Sequence, residues 1–164
     1  MSSLPALPTL DELALLGVPA HVAGRVQSYL DALNDADASY TMRGGFVHGG
    51  EFDGVYHTGF FCIDPNQTSA GKYLRIVRWD TERKNRDARL GTDDEGTVRV
   101  GHGSIHAFLE KATGNVAKPA GWNGPAKSTS KARKGQINWR FSVTDDMTTW
   151  PEFDPHGGYL YMRS

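Results

Sequence analysis

Only one cysteine, Cys62, stands in the 164-residue chain, which excludes an internal disulfide and a zinc site built on several cysteines. Within "GFFCID" the thiol reads as a buried packing group, and a lone cysteine suits a reducing compartment. Long hydrophobic runs are also missing. No stretch of about 18 apolar residues occurs, so no membrane partner is expected. The N-terminal "MSSLPALPTLDELALLGVPA" has no basic residues ahead of its apolar ones and carries acids among them, a poor match to a signal peptide. The expected location is therefore cytoplasmic. Enzyme signatures are absent too: no Gly-rich dinucleotide fingerprint follows a strand, and there is no P-loop, G-x-S-x-G or H-E-x-x-H. A non-enzymatic role is expected, and no cofactor is implied.

Charge of one sign is scarce in blocks. Residues 1–66 hold only Arg25 and Arg43 against eight acids, a net −6, whereas residues 67–144 hold fifteen basic against seven acidic residues, a net +8. The last twenty residues return to −3, and the whole chain to −1. Such asymmetry matters more than the sum, because a positive patch attracts anions locally.

What is present indicates a single α+β domain over 1–164, with a helical N-terminal extension over 1–38 and a sheet-based body over 39–164. "TLDE" at Thr9–Glu12 is a capping box, Gly17 is placed to end that helix, and Pro19 suits the first turn of a second. Val22, Val26, Tyr29, Leu30 and Leu33 recur at helical spacing. The second helix offers only Arg25 as a cation, too little for a groove-reading helix-turn-helix. From Tyr40 the runs "YTMRGGFVHG", "GVYHTGFFCID", "KYLRIVRWDTE", "GTVRVG" and "SIHAFLE" read as strands of a mainly antiparallel sheet. In "KYLRIVRW", Tyr73, Arg75, Val77 and Trp79 alternate with Leu74, Ile76 and Arg78, so one face meets the core and the other is partly covered. "ERKNRDARLGTDDEG" is a charge-mixed loop. Thr113-Gly114-Asn115 predicts a hairpin turn. Asn123, Pro125 and Gly135 then predict the cap, first turn and end of a late basic surface helix. "INWRFSV" and the terminal "GGYLYMR" read as two further strands.

The acid-free window from Lys111 to Arg140, "KATGNVAKPAGWNGPAKSTSKARKGQINWR", holds seven Lys and Arg residues and two Trp residues. On a helix, Lys127, Lys131 and Lys134 form one stripe, with Arg133 beside it and Lys118 approaching from the preceding strand. Trp122 and Trp139 flank the segment, Arg140 closes it, and orphan amides of the helix start near Asn123–Lys127 favour an anion. Cations that hold phosphate beside rings that stack on bases suit single-stranded nucleic acid or a phosphorylated small molecule better than base-specific duplex readout. The acidic N-terminal helices offer a different surface, for a host or phage protein. If they are the contact surface, removal of residues 1–38 should abolish capture of that partner while the remainder stays folded.

Two weaker constellations exist. His48, His57, His102 and His106 lie in strand-like runs, and "HGSIH" puts His102 and His106 on one face unless Gly103 introduces a bulge; with His57 or a carboxylate such as Asp53 they could make a transition-metal or zinc site. Glu51 and Asp53 with His57 could form a paired-carboxylate hydrolase site. Neither spacing is a ligand or catalytic signature, so no metal is assigned.

"SIHAFLEKATGNVAKPAGWNGPAK", then "ARKGQI" and "DPHGGYLYMR", resembles a group of small proteins encoded by tailed phages, especially actinobacteriophages. Ile105, His106, Phe108, Glu110, Thr113, Gly114, Val116, Lys118, Ala120, Trp122, Pro125, Ala126 and Lys127 stand on the pattern V/I-H-A-F-x-E/D-x-x-T-G-x-V-x-K-P-A-x-W-x-x-P-A-K, which ends in G-G-Y-L-Y. The likeness covers roughly 72–164. It implies a phage origin, hence the host cytoplasm or the virion, and supplies no biochemical role. An accessory protein acting through the basic surface, or a host-factor antagonist or minor virion component acting through the N-terminal helices, are the roles expected from the residues. On that pattern the N-terminal 40 residues and the 81–96 loop look like additions, and "STSKARKGQ" looks lengthened.

Overall fold

A computed structural model describes residues 7–41, 56–83 and 98–161. Residues 42–49 of the first strand-like run, most of the charge-mixed loop, and His48, Glu51 and Asp53 fall outside them, as do the rings of His57 and His102.

Helix α1 (Leu10–Leu15) begins as the capping box requires. Thr9 Oγ1 accepts from Glu12 N at 3.1 Å, and Glu12 Oε1 accepts from Thr9 N at 3.2 Å. Gly17 follows with a positive φ of 88°, and α2 (Ala20–Thr41) starts after Pro19. The periodic residues Val22, Val26, Tyr29, Leu30 and Leu33 are all fully buried. At about 1.5–3 kcal/mol for each large apolar side chain, this face dominates the docking of α2.

The face docks on a five-stranded antiparallel sheet of order β1-β2-β3-β4-β7. Its strands are β1 (Tyr56–Ile63), β2 (Tyr73–Arg83), β3 (Val98–Glu110), β4 (Asn115–Ala117) and β7 (Trp139–Ser142). Register sorts the β2 side chains as the alternation predicts. Leu74 pairs with Leu109, and Leu109 with Val116, on the helix side. On the other side Arg75 pairs with Phe108, and Phe60, Cys62 and Val77 form a small second cluster. Asn34 of α2 closes the free edge of β1: its amide donates to Phe61 O at 3.0 Å, and its carbonyl accepts from Phe61 N at 2.8 Å. A side chain thus completes the edge that another strand would otherwise pair.

Helix α2 is therefore packed into the sheet's core, and removal of residues 1–38 would uncover Phe61, Leu74 and Ile76 on the face it covers. Its lower end also carries Asp37, buried against Arg78 with Oδ2 3.2 Å from Nε. Gly59 gives this pair its room, because a Cβ there would collide with both side chains.

"GTVRVG" and "SIHAFLE" join into the single strand β3, with two irregularities. One spans the Gly103 region, where Gly103 lies against the Trp79 ring, and the other sits at His106, the unpaired residue between Ile105 and Ala107. Such a bulge re-aims a side chain, and here it turns His106 into the core beside Phe61, ring centroids 4.7 Å apart. The predicted hairpin is present: Gly114 N bonds to Glu110 O, and β4 returns along β3.

The late basic helix does not form. Residues 119–125 make a second hairpin instead, β5 (Pro119–Gly121) with β6 (Gly124–Pro125), and Gly121 pairs with Gly124 across a two-residue turn, Trp122-Asn123. The chain then runs out and back as a ribbon: Asn138 N bonds to Ala126 O, Lys127 pairs with Ile137, and Ser128 exchanges backbone bonds with Gln136 and Gly135. Residues 131–135 are its turn. "GPAKSTSKARK" has no apolar face to bury, and an isolated short helix gains little without one. Ser128 Oγ also accepts from Ser130 N, a local bond that competes with helix.

"GGYLYMR" forms no strand among its described residues. Asp154 gathers the N–H groups of His156, Gly158 and Tyr159 at 3.0–3.2 Å, and the chain curls into a 3-10 turn over Gly158–Leu160. Gly157 enters that turn at φ 78°, a left-handed conformation that only glycine adopts without strain.

Candidate nucleic-acid interface

The eight residues expected to bind an anion divide into three groups. Lys127, Lys131, Arg133 and Lys134 lie along the ribbon and are exposed. No ion pair among the described residues involves any of them. The stripe at helical spacing and the amide set near Asn123 are corrected, because no helix exists there. The cations are instead concentrated on a ribbon whose turn carries three of them.

Lys118 and Trp122 form the second group, and the fold adds two residues to them. Trp122, at the apex of the β5–β6 turn, is 44% exposed. The Arg75 guanidinium lies 5.3 Å from the indole centroid, and Arg75 Nε donates to Trp122 O at 2.8 Å. Arg75 also faces Asp64 at 3.7 Å, so indole and guanidinium are held together. Lys118 Nζ stands 4.6 Å from the ring centroid of Tyr161, which is 63% exposed. Sequence reasoning missed Arg75 and Tyr161. The signals were the outward position of Arg75 in "KYLRIVRW" and the second tyrosine of "GGYLY".

Trp139 and Arg140, the third group, make contacts within the fold. Trp139 is half-buried against Tyr73, centroids 6.0 Å apart. Arg140 Nε donates to Tyr159 O at 2.7 Å, tying β7 to the C-terminal turn.

That turn is held from within. Tyr159 Oη contacts Tyr29 Oη at 2.5 Å and His106 Nε2 at 2.7 Å, inside a cluster that includes Phe141 and Phe153. Burial pushes both phenols to higher pKa and lowers His106 to about 4, with Asp154 opposing and Arg78 reinforcing the fall. The imidazole is therefore neutral at pH 7, and its Nε2 is engaged by Tyr159. Among the described residues no three His, Cys, Asp or Glu side chains gather where they could hold a metal. This network fixes Tyr159, and two residues later Tyr161 is presented at the surface.

A second polar anchor secures the β1–β2 connection beside Arg75. The Lys111 ammonium, buried, donates to the carbonyls of Thr68, Ser69 and Ala70 at 3.1–3.3 Å, and burial lowers its pKa. Gln67 adds bonds to Tyr73 O and Arg75 N. The loop that carries Asp64 is thereby fixed against the strand that carries Arg75.

No helix among the described residues is long and apolar enough to cross a membrane. No curated protein and no solved structure matches the chain. A family model does match, over residues 20–162. The match takes in α2 but begins after α1, so α2 is not an addition to the shared body. The chain belongs to the family of unknown function DUF7717.

Proposed function

We propose that this protein is a phage-encoded, non-enzymatic accessory protein that binds nucleic acid through the basic ribbon and its aromatic base. The carrying observation is the ribbon itself: Lys127, Lys131, Arg133 and Lys134 are exposed on one out-and-back segment, with no acidic partner among the described residues. Cations left unpaired in this way are available to phosphate, and each one engaged releases condensed counterions. The phage origin is supported by the "SIHAFLEKATGNVAKPAGWNGPAK" and "GGYLY" resemblance, and with it goes a place in the host cytoplasm or the virion. The test is anisotropy of labelled DNA and RNA oligonucleotides across a salt series. Affinity should fall as salt rises; no binding at low salt, or binding indifferent to salt, overturns the reading.

A second reading, a protein-interaction module, draws on the N-terminal helices. Leu10 and Leu15 are 53% and 78% exposed, and acids Asp11, Glu12, Asp31 and Asp35 are exposed on the same two helices. Leu15, Leu16 and Ile63 line an open groove of about 380 Å³ between α1 and the loop after β1. A host or phage protein captured by the wild type and lost on Leu15→Glu supports this reading; an unchanged set of captured proteins counts against it.

A further inference from the structure

We propose that Trp122 and Tyr161 are two stacking positions for unpaired bases, so that the ligand of this surface is single-stranded rather than duplex nucleic acid. The inference rests on the phosphate-binding reading above and specifies its ligand. Both rings are large and exposed, 44% and 63%, and each has a cation over one face, Arg75 and Lys118 respectively. A cation on one face leaves the opposite face for a base, and it holds the ring in place before the ligand arrives. Pre-organisation of that kind lowers the ordering cost of binding.

The two rings and the ribbon meet at Lys118. Its carbonyl accepts from Ala126 N at the foot of the ribbon, its ammonium covers Tyr161, and the next residue begins the hairpin that bears Trp122. Tyr161 is placed independently, through Tyr159 and its bonds to Tyr29, His106 and Arg140. Phosphate-holding cations therefore adjoin two rigid aromatic platforms. A duplex hides its base faces inside the stack, so only an unpaired strand can use both features.

The test compares a labelled oligo-dT of about 12 nucleotides, within the usual range of single-strand site sizes, with a duplex of equal length at fixed low salt. Wild type should favour the single strand. Trp122→Ala and Tyr161→Ala should each weaken single-strand binding about 10- to 100-fold while leaving duplex binding nearly unchanged. Trp122→Phe, which keeps an aromatic face, should recover most of the loss and guards against a folding artefact. Salt-dependent binding that is unaltered by these alanines, or equally weakened for both ligands, overturns the stacking assignment and leaves the ribbon reading standing. Failure of wild type to bind either ligand overturns the ribbon reading and this inference with it.

Discussion

Tyr159 Oη stands 2.7 Å from His106 Nε2, so the histidine of "SIHAF" and the first tyrosine of "GGYLY" meet in the core although 53 residues separate them. The same hydroxyl reaches Tyr29 of α2. One phenol thereby ties the central strand, the long helix and the C-terminal turn together.

Tyr159→Phe removes a hydroxyl that serves two buried partners, whereas Tyr29→Phe removes one that serves a single partner. A buried polar group left without a partner costs about 1–3 kcal/mol. Tyr159→Phe should therefore destabilise by about 2–3 kcal/mol in urea unfolding, and Tyr29→Phe by roughly half as much. Two equally small losses would show that the network contributes little.

Stability should fall on acidification through the titration of His106. The unfolded chain takes up this proton near 6.5, but the folded imidazole does so only near 4. Between those values protons favour the unfolded state, so the contribution is complete above 6.5 and is lost as pH drops towards 4. At about 1.4 kcal/mol per pH unit the window holds about 3 kcal/mol. His106→Gln should flatten that part of the stability–pH curve; parallel curves for the two proteins would contradict the assignment.

Gly59 leaves space for the Asp37–Arg78 pair, and a methyl group there forces the two apart. Asp37 is buried while Arg78 is partly exposed, so separating them leaves the buried carboxylate without this guanidinium, and a buried charge deprived of its partner costs about 3 kcal/mol or more. Gly59→Ala should show a loss of this size in thermal or urea unfolding, and a neutral result would mean that Asp37 is not held there.

Lys111→Met keeps the aliphatic stem but leaves three carbonyls without their shared donor. The expected loss is about 2 kcal/mol, accompanied by faster amide exchange in residues 64–72. Exchange that stays slow in this loop would show that Gln67 and Asp64 suffice to hold it.

The two helices and the strand faces were legible because periodicity and caps are local signals: Thr9 and Glu12 bond within one turn, and Leu74, Ile76 and Arg78 alternate as written. The ribbon was misread because Asn123, Pro125 and Gly135 serve a turn as well as they serve a helix end, and only the missing apolar face distinguishes the two. "GGYLY" was misread as a strand because its aromatics suit a sheet, while the deciding carboxylate, Asp154, acts through three backbone amides. Of the candidate site, the charges could be read from composition. The Arg75–Trp122 and Lys118–Tyr161 pairs could not, because each joins segments distant in sequence.

The most direct measurement is the slope of log affinity against log salt for a single-stranded oligonucleotide, in wild type and in Lys131→Ala/Arg133→Ala/Lys134→Ala. Four phosphate contacts by the ribbon predict a slope of about −3, and loss of three of them should bring it to about −1. The same slope in both proteins, or none in wild type, would contradict nucleic-acid binding by the ribbon.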